Sequence, residues 1–289
     1  MSNTATVLAF DFGASSGRAI RAVYDGQNLT YEEIHRFENV PIEKDGHLCW
    51  DVETLLKEIH TAIQKAGTFD SLGFDTWGVD FGLLDADGHL LANPVHYRDA
   101  RTNGKPEQAA ACMPAEELYA HTGSQIMAIN TLFQLLALQE QESELLQKAE
   151  QILFMPDLFA ALLGAEPVCE RSIASTSQML DPRTGQWSRE VLTAYGLKEN
   201  HFAPLVASGT VTGTLANGAK IIAVAGHDTQ CASAAMPCAE EDVEHTAFLS
   251  CGTWSLLGTE LDTPILTADS CQSGLSNELG ANGKINYLK

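Results

Sequence analysis

Residues 8–28 read LAFDFGASSGRAIRAVYDGQN. An apolar run ends at Asp11, and Gly13, Ser15, Ser16, Gly17 and Arg18 follow at once. Gly and Ser clusters after a strand are places where backbone amides can meet an anion. A dinucleotide-binding loop would need GxGxxG and then a helix whose first turn faces the pyrophosphate. Here the segment after Gly17, RAIRAVY, has strand composition and meets a turn at Asp25-Gly26 before a helix could fit. A Walker A loop would need GxxxxGK[ST], and the Lys is absent. What remains is a hairpin, and a third strand, LTYEEIHRF over 29–37, makes the opening a meander. Its turn amides and hydroxyls can face a phosphate, with Asp11 placed to hold Mg2+. An ordinary tight hairpin would use the same glycines.

The composition sets bounds. The chain has 289 residues, 45% hydrophobic and 19% charged, enough for one large domain or two modest ones. With 17 Lys+Arg against 38 Asp+Glu, the formal charge of -21 argues against a nucleic-acid surface, which needs a basic stripe. It leaves room for a nucleotide, since a divalent cation and backbone amides can carry phosphate charge. The seven cysteines show no CxxC spacing or metal-site spacing with histidine, and read as reduced packing thiols of a cytoplasmic protein. The first ten residues lack the basic and apolar regions of a signal peptide, and no apolar stretch reaches the length of a membrane span.

Further along, 50–67 has Leu55, Ile59 and Ile63 at helical spacing, Asp51 as cap and Gly67 as stop. A strand over 71–78 returns to the sheet, and DADG marks a hairpin within 79–94. The region 104–164 reads as mainly helical, with its clearest helix over 130–149 and Asn130 as cap. Residues 219–236 read as strand, sharp turn and helix, and 246–260 as a second hairpin that echoes the first.

Three more motifs bear chemistry. In AVAGHDTQ, 223–230, a strand of small residues delivers His227 and Asp228 at a turn, where a carboxylate can accept a proton from a hydroxyl. Asp228 could equally cap the helix that follows. In SCGTWSLLG, 250–258, small and hydroxyl residues again suit a phosphate, as they would suit a plain hairpin. In FDTWGVDF, 74–81, Asp75 and Asp80 flank Trp77 and Gly78, a composition that suits a sugar. The plainer alternative puts Trp77 in the core and Asp80 in solvent. The run HYRDARTNG, 96–104, reads as a polar loop beside it.

Taken in order, DFGASSGR, DTWGVDFGLLD, YRDARTNG, MPDLF, GHDT and SCGTWSLLG resemble the FGGY carbohydrate kinases from about Val7 onward, and within them most closely the rhamnulokinases. The resemblance implies an α/β, ribonuclease-H-like fold of the actin-like ATPase superfamily. It implies a complete sugar-binding domain over 1–244 and the incomplete beginning of a nucleotide-binding domain over 245–289, whose sheet would leave apolar surface exposed. It implies that Ala14, Ser15, Ser16, Gly17 and Arg18 meet ATP phosphate, with Thr253 in the second hairpin, and that Asp11 organises Mg2+. Gly78, His227, Asp228 and Thr229 would contact the sugar beside Asp75 and Trp77, and Asp228 would be the catalytic base. The implied reaction is ATP-dependent phosphorylation of L-rhamnulose at its 1-hydroxyl. Two other readings stay open: a sister ketose kinase of the fuculokinase, xylulokinase or autoinducer-2 kinase class, and a sugar-binding module without catalysis. Small-molecule partners are expected, and neither nucleic acid nor membrane.

Overall fold

The computed structural model describes residues 4–252 and 255–289. The opening meander forms as its pattern predicts: β1 (Ala5–Phe12), β2 (Ser16–Tyr24) and β3 (Leu29–Glu38) are successive antiparallel neighbours. Helix α1 (Val52–Ala66) follows, then β4 (Ser71–Thr76), which lies parallel to β1 on the side away from β2. Far along the chain, β5 (Thr210–Thr214) and β6 (Lys220–Ala223) complete the sheet in the order β5-β6-β4-β1-β2-β3, with β6 parallel to β4.

Strand periodicity sorts the side chains of β1 and β4 into two sets. Leu8, Phe10 and Phe12 alternate with Ala9 and Asp11, and Leu72, Phe74 and Thr76 are buried between Gly73 and Asp75. On the apolar side Phe10 stacks on Phe74 at 4.8 Å, and Phe12 stacks at 4.9 Å on Phe159 of helix α3 (Met155–Leu162). Helix α1 packs against β3 and buries Val52, Leu55, Ile59, Ala62 and Ala66 at intervals of three and four. Asp51 caps it by accepting from the Thr54 amide at 3.1 Å, and Gly67, at φ 66°, stops it.

The long helix expected over 130–149 is two. Helix α2 (Thr131–Gln141) ends at Glu142, whose φ of -139° breaks the spiral before a short helix over Ser143–Lys148. Asn130 stands at the start of α2 but does not cap it. Its amide instead donates to the Gln125 carbonyl and to Gln178 Oε1.

A second sheet holds the last forty residues. Strands β7 (Ala247–Cys251), β8 (Ser255–Leu261), β9 (Ser276–Leu279) and β10 (Ile285–Leu288) pair antiparallel in the order β7-β8-β10-β9. Strand β9 is buried throughout and tied to the rest of the molecule: Gln125 N donates to Ser276 Oγ, Asn277 N to the Gly123 carbonyl, and Leu279 N to Ser175 Oγ. At the other edge the cross-strand partners Leu249 and Leu257 stand 62% and 58% exposed.

One buried anion organises the region just after β4. Asp80 is 1% exposed. Its Oδ2 accepts from the Trp50 indole at 2.6 Å, the Trp77 indole at 3.0 Å and the Tyr97 amide at 3.1 Å. Its Oδ1 accepts from Gln134 at 2.8 Å. Trp77 is thus core on one side, as the plainer alternative held, but Asp80 is neither solvated nor free for a sugar. Burial pushes its carboxyl up to about 6, against the pull of its four donors. Between about 4 and 6 the native state therefore binds more protons than the unfolded chain, and stability from this group falls as pH rises. Asp80→Asn lacks that titration and turns a donor toward donors. Urea denaturation should find it less stable than wild type, with the gap largest at pH 4 and narrowing by ~3 kcal/mol toward pH 7. A gap independent of pH would contradict this account.

Candidate active site

The site lies where strands β1, β4 and β6 end. In the parallel register of β1 and β4, Asp11 stands directly beside Asp75, on the side of those strands away from the phenylalanines. After β6 the chain turns at Gly226, whose carbonyl accepts from Thr76 N at 2.9 Å, so His227 bridges to Thr76. Buried Glu170 holds the same turn. Its Oε2 accepts from Gly226 N at 3.0 Å, from Ser172 N and Oγ, and from Ile173 N, while Oε1 accepts from Ser208 Oγ at 2.6 Å. Gly226 is needed for closeness, because a Cβ there would come within 2.8 Å of Pro156 and 3.1 Å of Ile173. Helix α4 (Asp228–Ala234) then starts, and Asp228 is delivered close enough to Asp75 for its charge to be felt there.

A cleft of about 360 Å³ opens beside this turn. Of the residues expected to bind, Ala14, Trp77, Gly78, His227, Asp228 and Thr229 line it. Ser250, Gly252 and Ser255 of the second hairpin line it as well, so the two hairpins meet one cavity. Thr253 lies outside the described residues.

The first hairpin divides its labour. Asn39, 3% exposed, grips the turn through the carbonyls of Gly13 and Ser15. Among the described residues the amides of Ala14 and Ser15 have no partner, so both remain available to an anion. Ser15 is exposed and Ser16 half-buried. Gly17 is buried for a packing reason: a Cβ would sit 2.3 Å from the Phe37 ring. Arg18 does not stand free for phosphate, since its Nε donates to Asp11 Oδ2 at 2.7 Å.

Asp75 is not on the cleft wall. It is half-buried next to Asp11, and burial, then Asp11, then Asp228 push its carboxyl well above the usual range. Asp11 and Asp75 repel one another and Arg18 pairs with only one of them, an arrangement that fits a divalent cation. Mg2+ keeps several waters and needs only one or two carboxylates, so a loose acidic group with free donors nearby suits it.

Asp228 reaches the cleft wall with one carboxylate oxygen engaged and the other open. Its Oδ1 accepts from Thr229 N at 2.6 Å and Thr229 Oγ1 at 3.2 Å, and His227 Nε2 lies 3.4 Å from the same oxygen. Oδ2 has no hydrogen bond among the described residues. On its other side His227 Nδ1 meets Glu278 Oε2 at 2.9 Å. Burial opposes the charged ring, but Glu278, Asp228 and Asp75 together outweigh it, and the imidazole is raised to about 9.

The cleft also contains residues that motif reading passed over. Tyr97 returns from the loop read as merely polar, Thr176 supports Gly78 and Val79, and Gln125, Asn130 and Glu278 complete the wall. Val79 holds φ at 68°, a strained value for a β-branched residue. Thr176 accepts from its amide and Thr131 donates to its carbonyl at 2.6 Å, which fixes the turn that presents Gly78. No motif signals Thr176, Gln125 or Glu278, because each enters alone from a distant segment.

The model for the FGGY family of carbohydrate kinases, N-terminal domain, matches residues 6–234. The chain is 40% identical over 295 aligned positions to a rhamnulokinase of Bacteroides thetaiotaomicron, covering 98% of this chain and 60% of that protein. It thus spans about three fifths of the length of that relative. Among solved structures it is similar to a gluconate kinase of Lactobacillus acidophilus, with TM-score 0.83 and 16% identity over 99% of this chain and 59% of that one. A ligand-bound xylulose kinase of the same organism gives 0.82 and 17% over 98% and 59%. The structural likenesses establish the α/β, actin-like fold, and the family match over residues 6–234 establishes that the chain belongs to the FGGY family of carbohydrate kinases.

Proposed function

We propose that this chain is the sugar-binding part, over 1–244, and the first part of the nucleotide-binding domain, over 245–289, of an ATP-dependent kinase that phosphorylates L-rhamnulose at its 1-hydroxyl. The observation that carries the reading is Asp228: a carboxylate on the cleft wall with Oδ1 engaged and Oδ2 open, near Asp75, which stands beside Asp11. The identity to a rhamnulokinase supports the choice of sugar.

In this reading Asp228 Oδ2 takes the proton of the acceptor hydroxyl. The hydroxyl oxygen bonds to the γ-phosphorus as the bond from that phosphorus to the β,γ-bridging oxygen breaks, and ADP leaves. Trp77, Gly78, His227 and Thr229 orient the sugar, with Tyr97 and Thr176. The free amides of Ala14 and Ser15 and the hairpin at 250–255 receive phosphate, so the protein works mainly by positioning and by placing donors where charge develops. Asp11 would hold Mg2+, which offsets phosphate charge when bound.

A coupled ADP-release assay across several ketoses tests the sugar, and preference for another ketose would refute it. Calorimetry that detects sugar binding but neither nucleotide binding nor turnover would favour a sugar-binding module. Asp228→Asn should lower turnover by about 10²–10⁴-fold while leaving sugar affinity within a few-fold, since it removes the base and keeps the shape. Asp11→Asn should raise the Mg2+ concentration needed for half-maximal rate and leave calorimetric sugar binding unchanged. Equal weakening of both would remove Asp11 from the cation role.

A further inference from the structure

Glu278 lies outside every motif of the sequence and comes from the second sheet. Its strand β9 pairs with β10, which pairs with β8, the strand that closes the phosphate-side hairpin. Glu278 Oε2 accepts from Gln230 Nε2 at 2.7 Å as well as meeting His227 Nδ1. Gln230 is held in turn by Asn286 of β10, whose amide also donates to Ser233 Oγ at 2.9 Å. The carboxylate is therefore fixed in direction by groups from α4 and β10.

The imidazole it meets stands between two carboxylates. Nδ1 faces Glu278 and Nε2 lies 3.4 Å from Asp228 Oδ1, and both nitrogens can serve an anion only when the ring carries two protons. The ionisable groups around the ring are Glu278 from β9, Asp228 from α4 and Asp75 from β4. We propose that Glu278 is a positioning residue for the base: it holds His227 doubly protonated against Asp228 Oδ1, so that Oδ2 alone is left for the acceptor hydroxyl. The idea rests on the kinase reading for the role of Asp228, but the row Glu278–His227–Asp228 is a property of the fold.

The row has a directional consequence. It runs from the sheet that carries the 250–255 hairpin to the base on the other side of the cleft. A displacement of the second sheet relative to β4 and β6 withdraws the anion from His227, and the ring then loses the partner that keeps it charged. The base is thus set by the side of the molecule that receives the phosphates.

The test uses the whole chain. Imidazole resonances of His227, assigned with His227→Gln, are followed by NMR against pH in wild type, Glu278→Gln and Glu278→Asp. His227 should titrate near 9 in wild type, at least one unit lower in Glu278→Gln, and part of the way back in Glu278→Asp. Glu278→Gln is nearly isosteric, and unchanged amide spectra elsewhere report that the fold is retained. In the ADP-release assay the same variant should lower kcat by ten-fold or more with KM for the sugar within three-fold, and move the alkaline limb of the rate to lower pH. A His227 titration unchanged in Glu278→Gln overturns the proposal, and so does an equal rise in KM without an effect on kcat. If Asp228→Asn proves fully active while the His227 shift persists, the base assignment fails and the row stands.

Discussion

Two parallel strands ending side by side in carboxylates set the conditions for this molecule. β1 and β4 share a register that places Asp11 beside Asp75, while their phenylalanines stack on the other side. The stacking is what makes the repulsion affordable. Phe10, Phe12, Phe74 and Phe159 bury their rings together, and aromatic surfaces of this size stabilise by several kcal/mol each. The strands cannot slip to separate the acids, since a shift of one residue would turn the phenylalanines outward. A third acid, Asp228, arrives from β6 at the same end. The fold thus holds negative charge together at the end of the sheet beside the cleft, an arrangement in which stability yields to chemistry.

Buried carboxylates elsewhere do the opposite work. Glu170 and Asp80 collect donors until nothing around them can move independently. Glu170 joins the turn at Gly226 to the segment over 170–173, and Asp80 joins both indoles to the Tyr97 backbone. Removing one acceptor of this kind strands several buried donors at once, which costs more than the hydrogen bonds themselves contributed. Asp157, behind Glu170, is pushed well above the usual range by burial and then by Glu170, so the pair need not both be charged. The cleft wall is tied to the core beneath it by these shared acceptors.

Much of this was legible in the chain. The alternation of Leu8, Phe10 and Phe12, the turn at Asp25-Gly26 and the spacing of Leu55 and Ile59 are local signals, and the meander and α1 formed as read. Ala14, Trp77, Gly78, His227, Asp228 and Thr229 come from short motifs and reach the cleft together. The misreadings have physical causes. Asp80 looks like any surface acid until two indoles and an amide are seen converging on it. The break at Glu142 carries no glycine or proline to announce it. Glu170 and Glu278 are single acids among 38, and their partners lie up to 56 residues away, a relation that no window of sequence displays.

Strand β9 gives the cleft a particular place in the order of folding. Its hydrogen bonds reach back to Gly123, Gln125, Ser175 and His227, joining residues separated by 51 to 154 positions. Closing such loops costs chain entropy before any contact repays it, so these pairings form late, after the meander and its helices. Contacts made after the transition state govern how fast a structure opens rather than how fast it forms. An occupant of this cleft therefore acts as a brake on unfolding and leaves the speed of folding alone.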